Sequence, residues 1–274
     1  MLVFPNCKIN IGLHILSKRE DGYHNLETIF YPVPLRDALE IIPAQNLTTT
    51  FSCSGIEING NPDDNLCLKA YHLLKNDFPQ LTAIQIHLHK AIPIGAGLGG
   101  GSADAAFTLR LLNEKFKLNL STDQLINYSL QLGSDCPFFI KNTACFATSR
   151  GETMEAIELT LKGWYLLLIN PGIHINTGWA FAELGKQKKQ HRPGNLRELV
   201  KQPVESWKEV FINDFESPVF NKYPEIQQIK QTLYTAGAAY ASMSGSGSTV
   251  YGLFKKQPGL PTLPQQYFQR LILL

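Results

Sequence analysis

The sequence predicts a fold that mixes helices and strands along its whole length, of the α+β or α/β class, in two domains that meet near residues 150–160. Stretches whose apolar residues recur at every second position alternate with stretches whose apolar residues recur at every third or fourth. These are the patterns of half-buried strands and amphipathic helices. The chain has 274 residues, enough for two medium domains. After a hairpin-like segment at 143–157 the pattern restarts with a continuous apolar strand at 164–169, so the expected domains are 1–155 and 156–274.

Ile9, Ile11, Leu13 and Ile15 alternate with Lys8, Asn10, Gly12 and His14, giving a first long strand with one buried face and an opposite face that carries Lys8 and Asn10. Glu20, Asp21 and Gly22 make a turn, and 26–31, 38–42 and 48–51 are short β-like stretches. Asn61-Pro62-Asp63 breaks the chain, and Asp64 or Asn65 then caps a helix to about residue 76 that buries Leu66, Ala70, Leu73 and Leu74. Ile84, Ile86 and Leu88 mark a strand that feeds a glycine-rich loop. A helix follows from about 102 to 115, apolar on most sides and so expected to be buried. Ser121 and Gln124 form a capping box for a helix ending at Gly133. Segments 143–148 and 153–157 flank Arg150-Gly151 as a hairpin. Beyond the strand at 164–169 lies a basic stretch, 186–192, closed by Pro193-Gly194; it reads as a solvated loop or, alternatively, as a phosphate-steering patch. Ile226, Ile229 and Leu233 give an amphipathic helix over 224–236, and strands at 240–243 and 249–254 flank the turn 244–248.

Bulk composition excludes several classes. At 44% hydrophobic and 18% charged residues the chain is not a disordered one. Its formal charge of +2 lacks the basic excess of a general nucleic-acid binder. Cys7, Cys53, Cys67, Cys136 and Cys145 are odd in number and contain no C-x-x-C pair, which favours reduced thiols in the cytoplasm over a disulfide scaffold or zinc site. Pro5 and Lys8 interrupt the N-terminus before a signal-peptide core forms. The longest purely apolar run, 164–169, is far short of the roughly 20 residues of a membrane span. A cytoplasmic protein acting on a small molecule is expected, with no nucleic-acid or membrane partner, as a monomer or weak homodimer.

The segment Pro93, Ile94, Gly95, Ala96, Gly97, Leu98, Gly99, Gly100, Gly101, Ser102, Ala103 carries the chemistry. Its glycines let backbone N–H groups approach an anion, and the following helix adds unpaired N–H groups and the positive end of its dipole. A flexible linker is the plain alternative, but a linker would not run directly into a strongly apolar helix. A Walker A loop requires a lysine that is missing here. Gly95, Gly97 and Gly100 satisfy G-x-G-x-x-G, yet a dinucleotide site also needs an acidic residue at a strand end about 20 positions on. The nearest acid, Asp123, lies in the capping box instead. A second glycine-rich turn, 242–248, is either an ordinary β-turn or a second wall of the same site.

Asp135, on a loop pinned by Pro137, is a candidate general base for an alcohol or else a capping aspartate. Lys8 is a surface lysine or a cation that would stabilise developing negative charge. Tyr23 and His24 offer a ring and an imidazole to a flat ligand. His87 and His89 share a strand without a third ligand nearby in sequence, so no metal site is assigned.

Together these segments resemble the GHMP kinase superfamily, over almost the whole chain and through three separated motifs. These are Lys8-Ile-Asn-Ile-Gly-Leu followed by Asp21-Gly-Tyr-His24, the loop from Pro93 to Ala103 followed by Asp104-Ala-Ala, and Met243-Ser-Gly-Ser-Gly. The resemblance implies an α+β architecture with a ribosomal-S5-domain-2-like N-terminal domain and a ferredoxin-like C-terminal domain. It implies an ATP-dependent kinase, with Mg²⁺ on the nucleotide, that phosphorylates the 2-hydroxyl of a methylerythritol linked to cytidine diphosphate, in the non-mevalonate route to isoprenoid precursors. It further implies Asp135 as base, Lys8 as its cationic partner, and Asn10 as a holder of the constellation. Tyr23 and His24 become the cytidine wall, and Asn65 and Leu66 the edge of the adenine pocket. Two positions depart from the family pattern: Cys7 replaces a common alanine, and Ala103 replaces a frequent serine. The resemblance names no protein ligand for Mg²⁺.

Overall fold

The computed structural model describes residues 1–58, 61–186 and 194–274; residues 187–193, which hold most of the expected basic loop, lie outside the described residues. In chain order the first elements are β1 (Leu2–Val3), β2 (Asn6–Lys18), β3 (His24–Arg36), β4 (Ala38–Pro43), β5 (Thr50–Gly55), α1 (Leu66–Asp77), β6 (Ile84–Lys90) and α2 (Gly100–Lys115). Next come α3 (Thr122–Leu130), α4 (Cys136–Lys141), β7 (Cys145–Ser149), β8 (Thr153–Ala156), β9 (Tyr165–Asn170), α5 (Thr177–Leu184) and α6 (Leu196–Leu199). The chain closes with α7 (Glu216–Lys222), α8 (Pro224–Thr235), β10 (Tyr240–Met243), β11 (Val250–Phe254) and β12 (Phe268–Leu273). It forms two compact units, neither a single stretch of chain: Met1–Cys7, Pro34–Ile94 and Gly99–Thr143 make one; Lys8–Val33, Gly95–Leu98 and Ala144–Leu274 make the other.

The first unit holds a four-stranded sheet in the order β1-β4-β6-β5. Strands β1, β4 and β6 pair antiparallel, whereas β5 and β6 pair parallel. A parallel pair needs a long crossover, and α1 supplies it. Asn65 caps α1 by accepting from Cys67 N at 2.8 Å, and Ser121 and Gln124 close the expected capping box on α3. Helix α2 contacts α1, α3 and α4. Its Ala103, Ala105, Ala106, Leu109, Leu111 and Leu112 are all buried; small residues on several sides let neighbouring helices approach, as the sequence led us to expect.

The second unit holds two sheets. One runs β2-β3-β7-β8, with Ile29 opposite Phe146. The other runs β10-β11-β9-β12 and is antiparallel throughout. Strand β11 lies between β9 and β10, the arrangement of a split β-α-β unit. Helix α8 packs on this sheet through Ile226, Ile229 and Leu233, into a core that includes Leu167, Ile169, Phe215, Met243 and Val250.

One expectation changes. The polar face of β2 is not open to water: Lys8 and Asn10 are 3% exposed and His14 is 0% exposed. Polar groups are buried there because other polar groups are buried with them. Asp135 lies in the turn immediately before α4, a short helix that the sequence did not announce. Six residues starting Cys-Pro are too few to show a helical period. Among the described residues, no helix is long and apolar enough to cross a membrane.

Candidate active site

In the glycine loop the backbone alternates. Gly95, Gly97 and Gly99 adopt φ of +62°, +77° and +69°, while Ala96 and Leu98 between them are buried. Alternation of left-handed with ordinary residues turns successive N–H groups to one side, a backbone shape that suits an anion. The chain then runs into α2, whose first residues Gly100, Gly101 and Ser102 carry N–H groups that lack a partner within the helix. Ala103, the departure from the family pattern, is 0% exposed. A hydroxyl at that position would be buried, so its loss takes nothing from the open side of the loop.

Within the second unit the residues from Gly95 to Leu98 are held from two sides. Lys8 N donates to Leu98 O at 3.0 Å, and Thr249 N to Ala96 O at 3.2 Å. Ser244 Oγ donates to Gly97 O at 2.8 Å and accepts from Asn10 N at 3.2 Å. A Cβ on Gly97 would stand 1.9 Å from Ser244 O. The glycine turn at 242–248 is therefore a clamp on the loop and not an isolated turn. Asn213 fixes that clamp by donating to Met243 O and Gly245 O at 2.7 and 2.8 Å.

The same strand that holds the loop carries the buried cation. Lys8 Nζ donates to Asn10 Oδ1 at 2.5 Å and lies 4.9 Å from the centroid of Phe30. Asn10 Nδ2 donates to Thr28 Oγ1 at 3.0 Å, and Thr28 donates to Gly12 O. Asn10 thus holds the ammonium with its oxygen while its own amide is locked from the other end.

In the first unit, Asp135 is half-buried, and its side chain makes no cap hydrogen bond to α4. Gly133 lies close to Cys136 Sγ and Ser102 Oγ: its Cβ, if it had one, would be 3.4 and 3.9 Å away. Burial pushes the Cys136 thiol up to about 12, against a hydrogen bond from Ser102 that lowers it, so this thiol stays neutral. The segment of Asp135 and the start of α2 are neighbours in one unit. Leu66 Cδ1 lies 3.8 Å from the Cβ position of Gly101. Asn65 has its side-chain oxygen engaged by the cap of α1.

Tyr23 and His24 fall in the second unit. Tyr23 is 55% exposed, with the Arg150 guanidinium 4.8 Å over its ring. His24 stacks on Phe181, rings 4.4 Å apart and 11° from parallel. Burial and, after it, Lys18 lower the His24 pKa, which keeps the ring neutral at physiological pH and able both to donate and to accept. Sequence reasoning missed Phe181, Thr28 and Asn213; Ser244 lay in the turn it singled out, but its bond to Gly97 O was not foreseen. Phe181 lies in α5, whose eight residues give too short a period to place a ring; the others join the site only through tertiary hydrogen bonds.

The family description "GHMP kinases N terminal domain" matches residues 65–142, and "GHMP kinases C terminal" matches residues 185–261. A 4-diphosphocytidyl-2-C-methyl-D-erythritol kinase of Bacteroides thetaiotaomicron is 54% identical over 263 residues, covering 95% of this chain and 94% of its own length. One from Bacteroides fragilis is 52% identical, covering 94% and 93%. A crystal structure of 4-(cytidine 5'-diphospho)-2C-methyl-D-erythritol kinase superposes with a TM-score of 0.78 at 28% identity, covering 92% of this chain and 90% of that one.

Proposed function

Because this chain belongs to the GHMP kinase family, we propose that it transfers the γ-phosphoryl group of ATP to the 2-hydroxyl of 4-diphosphocytidyl-2-C-methyl-D-erythritol. The observation that carries the reading is the alternating glycine concavity, bonded along its backbone to the strand that buries Lys8. A polyanion cradle built beside a dehydrated ammonium is what phosphoryl transfer asks of a protein, since its catalysis is mostly positioning and charge stabilisation.

In this reading the loop from Pro93 to Ala103 holds the ATP phosphates, and Asn65 and Leu66 border the adenine. Mg²⁺ would be brought by the nucleotide and would neutralise phosphate charge, since this ion is usually bound through substrate phosphates and water more than by an all-protein cage. Among the described residues no group of three carboxylate, imidazole or thiol side chains could form such a cage. Tyr23 and His24, with Phe181, receive the cytosine. The acceptor's 2-hydroxyl oxygen forms a bond to the γ-phosphorus, its proton passes to the Asp135 carboxylate, and the bond to the β-phosphate oxygen breaks to release ADP. Lys8, oriented by Asn10, stabilises negative charge on the transferring group.

The test is ADP release measured with the cytidine diphosphate substrate beside mevalonate, homoserine and galactose. Turnover with the first alone is expected. Turnover with one of the others, and none with the first, overturns the acceptor assignment.

A further inference from the structure

Beneath the start of α2 the first unit buries three charges. Asp37 occupies the single position between β3 and β4; its Oδ1 accepts from Ala91 N at 2.6 Å and Ile92 N at 2.9 Å, and its Oδ2 accepts from Lys90 Nζ. Lys90, the last residue of β6, also donates to Asp104 Oδ2 at 2.8 Å. Asp104 Oδ1 is buried without a hydrogen-bond partner, and Asp104 and Lys90 are each 3% exposed. Gly100, the first residue of α2, packs directly on this cluster: a Cβ there would lie 3.3 Å from Lys90 Nζ and 2.9 Å from Ile92 Cγ2.

One ammonium and two carboxylates carry a net charge of −1 when all are ionised. That charge would sit directly under a helix N-terminus which, in the proposed reaction, receives the phosphates of a nucleotide. An orphaned buried carboxylate oxygen is costly in itself, and a polyanion nearby makes it costlier. We propose that the Asp37–Lys90–Asp104 cluster positions the phosphate-binding end of α2, and that Asp104 takes up a proton when a nucleotide polyanion occupies the loop. The inference rests on the nucleotide reading and adds a proton to it.

The surroundings support this. Burial raises the Asp104 carboxyl to about 7, with Lys90 drawing it down and Asp37 pushing it up. Burial opposes the charge on Lys90, yet Asp104 and Asp37 raise its pKa overall, so it stays an ammonium. Among the described residues, the Cys67 thiol on α1 and the Cys53 thiol on β5 also feel the cluster, both raised by burial and therefore uncharged. Asp104 is thus the group with a proton to gain near neutrality. Linkage fixes the sign: if the occupied form prefers protonated Asp104, nucleotide affinity falls as pH rises above about 7, by at most about tenfold per pH unit for one proton.

The experiment is calorimetric titration of ADP with Mg²⁺ into the full chain at about pH 8, in buffers of different ionisation enthalpy, for wild type and Asp104→Asn. Protons released or taken up by the ligand itself cancel in the difference. Wild type is expected to take up a larger fraction of a proton per nucleotide than Asp104→Asn, and its affinity to fall more steeply with pH than the variant's. Equal proton counts in the two proteins overturn the inference while leaving the nucleotide site intact. No binding heat and no competition with ATP in the wild type overturn the nucleotide reading, and this inference with it. Should the variant not fold, the wild type alone decides: an ADP affinity flat from about pH 6.5 to 8.5 overturns the proposal.

Discussion

A buried ammonium must have partners, and Lys8 finds two of them on neighbouring strand positions, Asn10 and the face of Phe30. Asp135 is placed differently, on the residue before a short helix and without a capping bond. If it accepts the acceptor's proton, Asp135→Asn keeps size and hydrogen bonding and loses only basicity. Its kcat should fall about 10²–10⁴-fold while both KM values move little. A steady-state measurement within a few fold of wild type would remove Asp135 from the chemistry. Tyr23 tests the other end of the acceptor. Its exposed ring, backed by Arg150, should stack on a base for about 1–3 kcal/mol. Tyr23→Ala should then raise the KM of the cytidine substrate by about tenfold while leaving that of ATP near its wild-type value; the reverse pattern would put Tyr23 on the nucleotide side. Both residues stand out in the sequence through their neighbours: Pro137 after one, and a glycine turn before the other.

At the scale of elements, the glycine loop separates folding from function. Gly97 has φ of +77°, and a Cβ there would strike Ser244 O at 1.9 Å. Neither the angle nor the backbone contact can relax cheaply, so Gly97→Ala should destabilise the protein. Gly101 is exposed, lies in the first turn of α2, and its nearest contact would be Leu66 Cδ1 at 3.8 Å. Gly101→Ala should leave the melting temperature unchanged or raise it, since alanine gains up to about 1 kcal/mol over glycine in a helix. It should nevertheless raise the KM for ATP, because the added methyl crowds the anion's approach. Thermal melts and ATP titrations on the two variants distinguish the roles; equal melting temperatures would show that Ser244 does not clamp the loop. The sequence announced the loop and the helix through glycine spacing and apolar content. It did not announce α4, α5 or α7, which have six, eight and seven residues and too few turns to express a period.

For the molecule as a whole, stability should carry the mark of Asp104. Its carboxyl titrates at about 7 in the folded chain against 3.8 for an aspartate free in water, so the native state holds a proton that the unfolded chain releases. The resulting stabilisation is complete below 3.8, is lost progressively as pH rises toward about 7, and is constant above that. The melting temperature of wild type relative to Asp104→Asn should therefore decline across that window. A difference that stays constant with pH would show that Asp104 is ionised throughout.

The sequence by itself determined the mixture of helices and strands, the glycine loop between β6 and α2, the capping box on α3 and the identity of the family. Each is written in local spacing, which short-range sterics and hydrogen bonding translate directly into structure. Tertiary structure alone decided that the polar face of β2 is interior, that Ser244 clamps Gly97, that Phe181 stacks on His24, and that Asp37 and Asp104 share Lys90. In these pairs the partners lie from 14 to 157 positions apart in the chain. A buried polar group is tolerated only when its partner arrives with it, and no local pattern records which distant residue that partner will be.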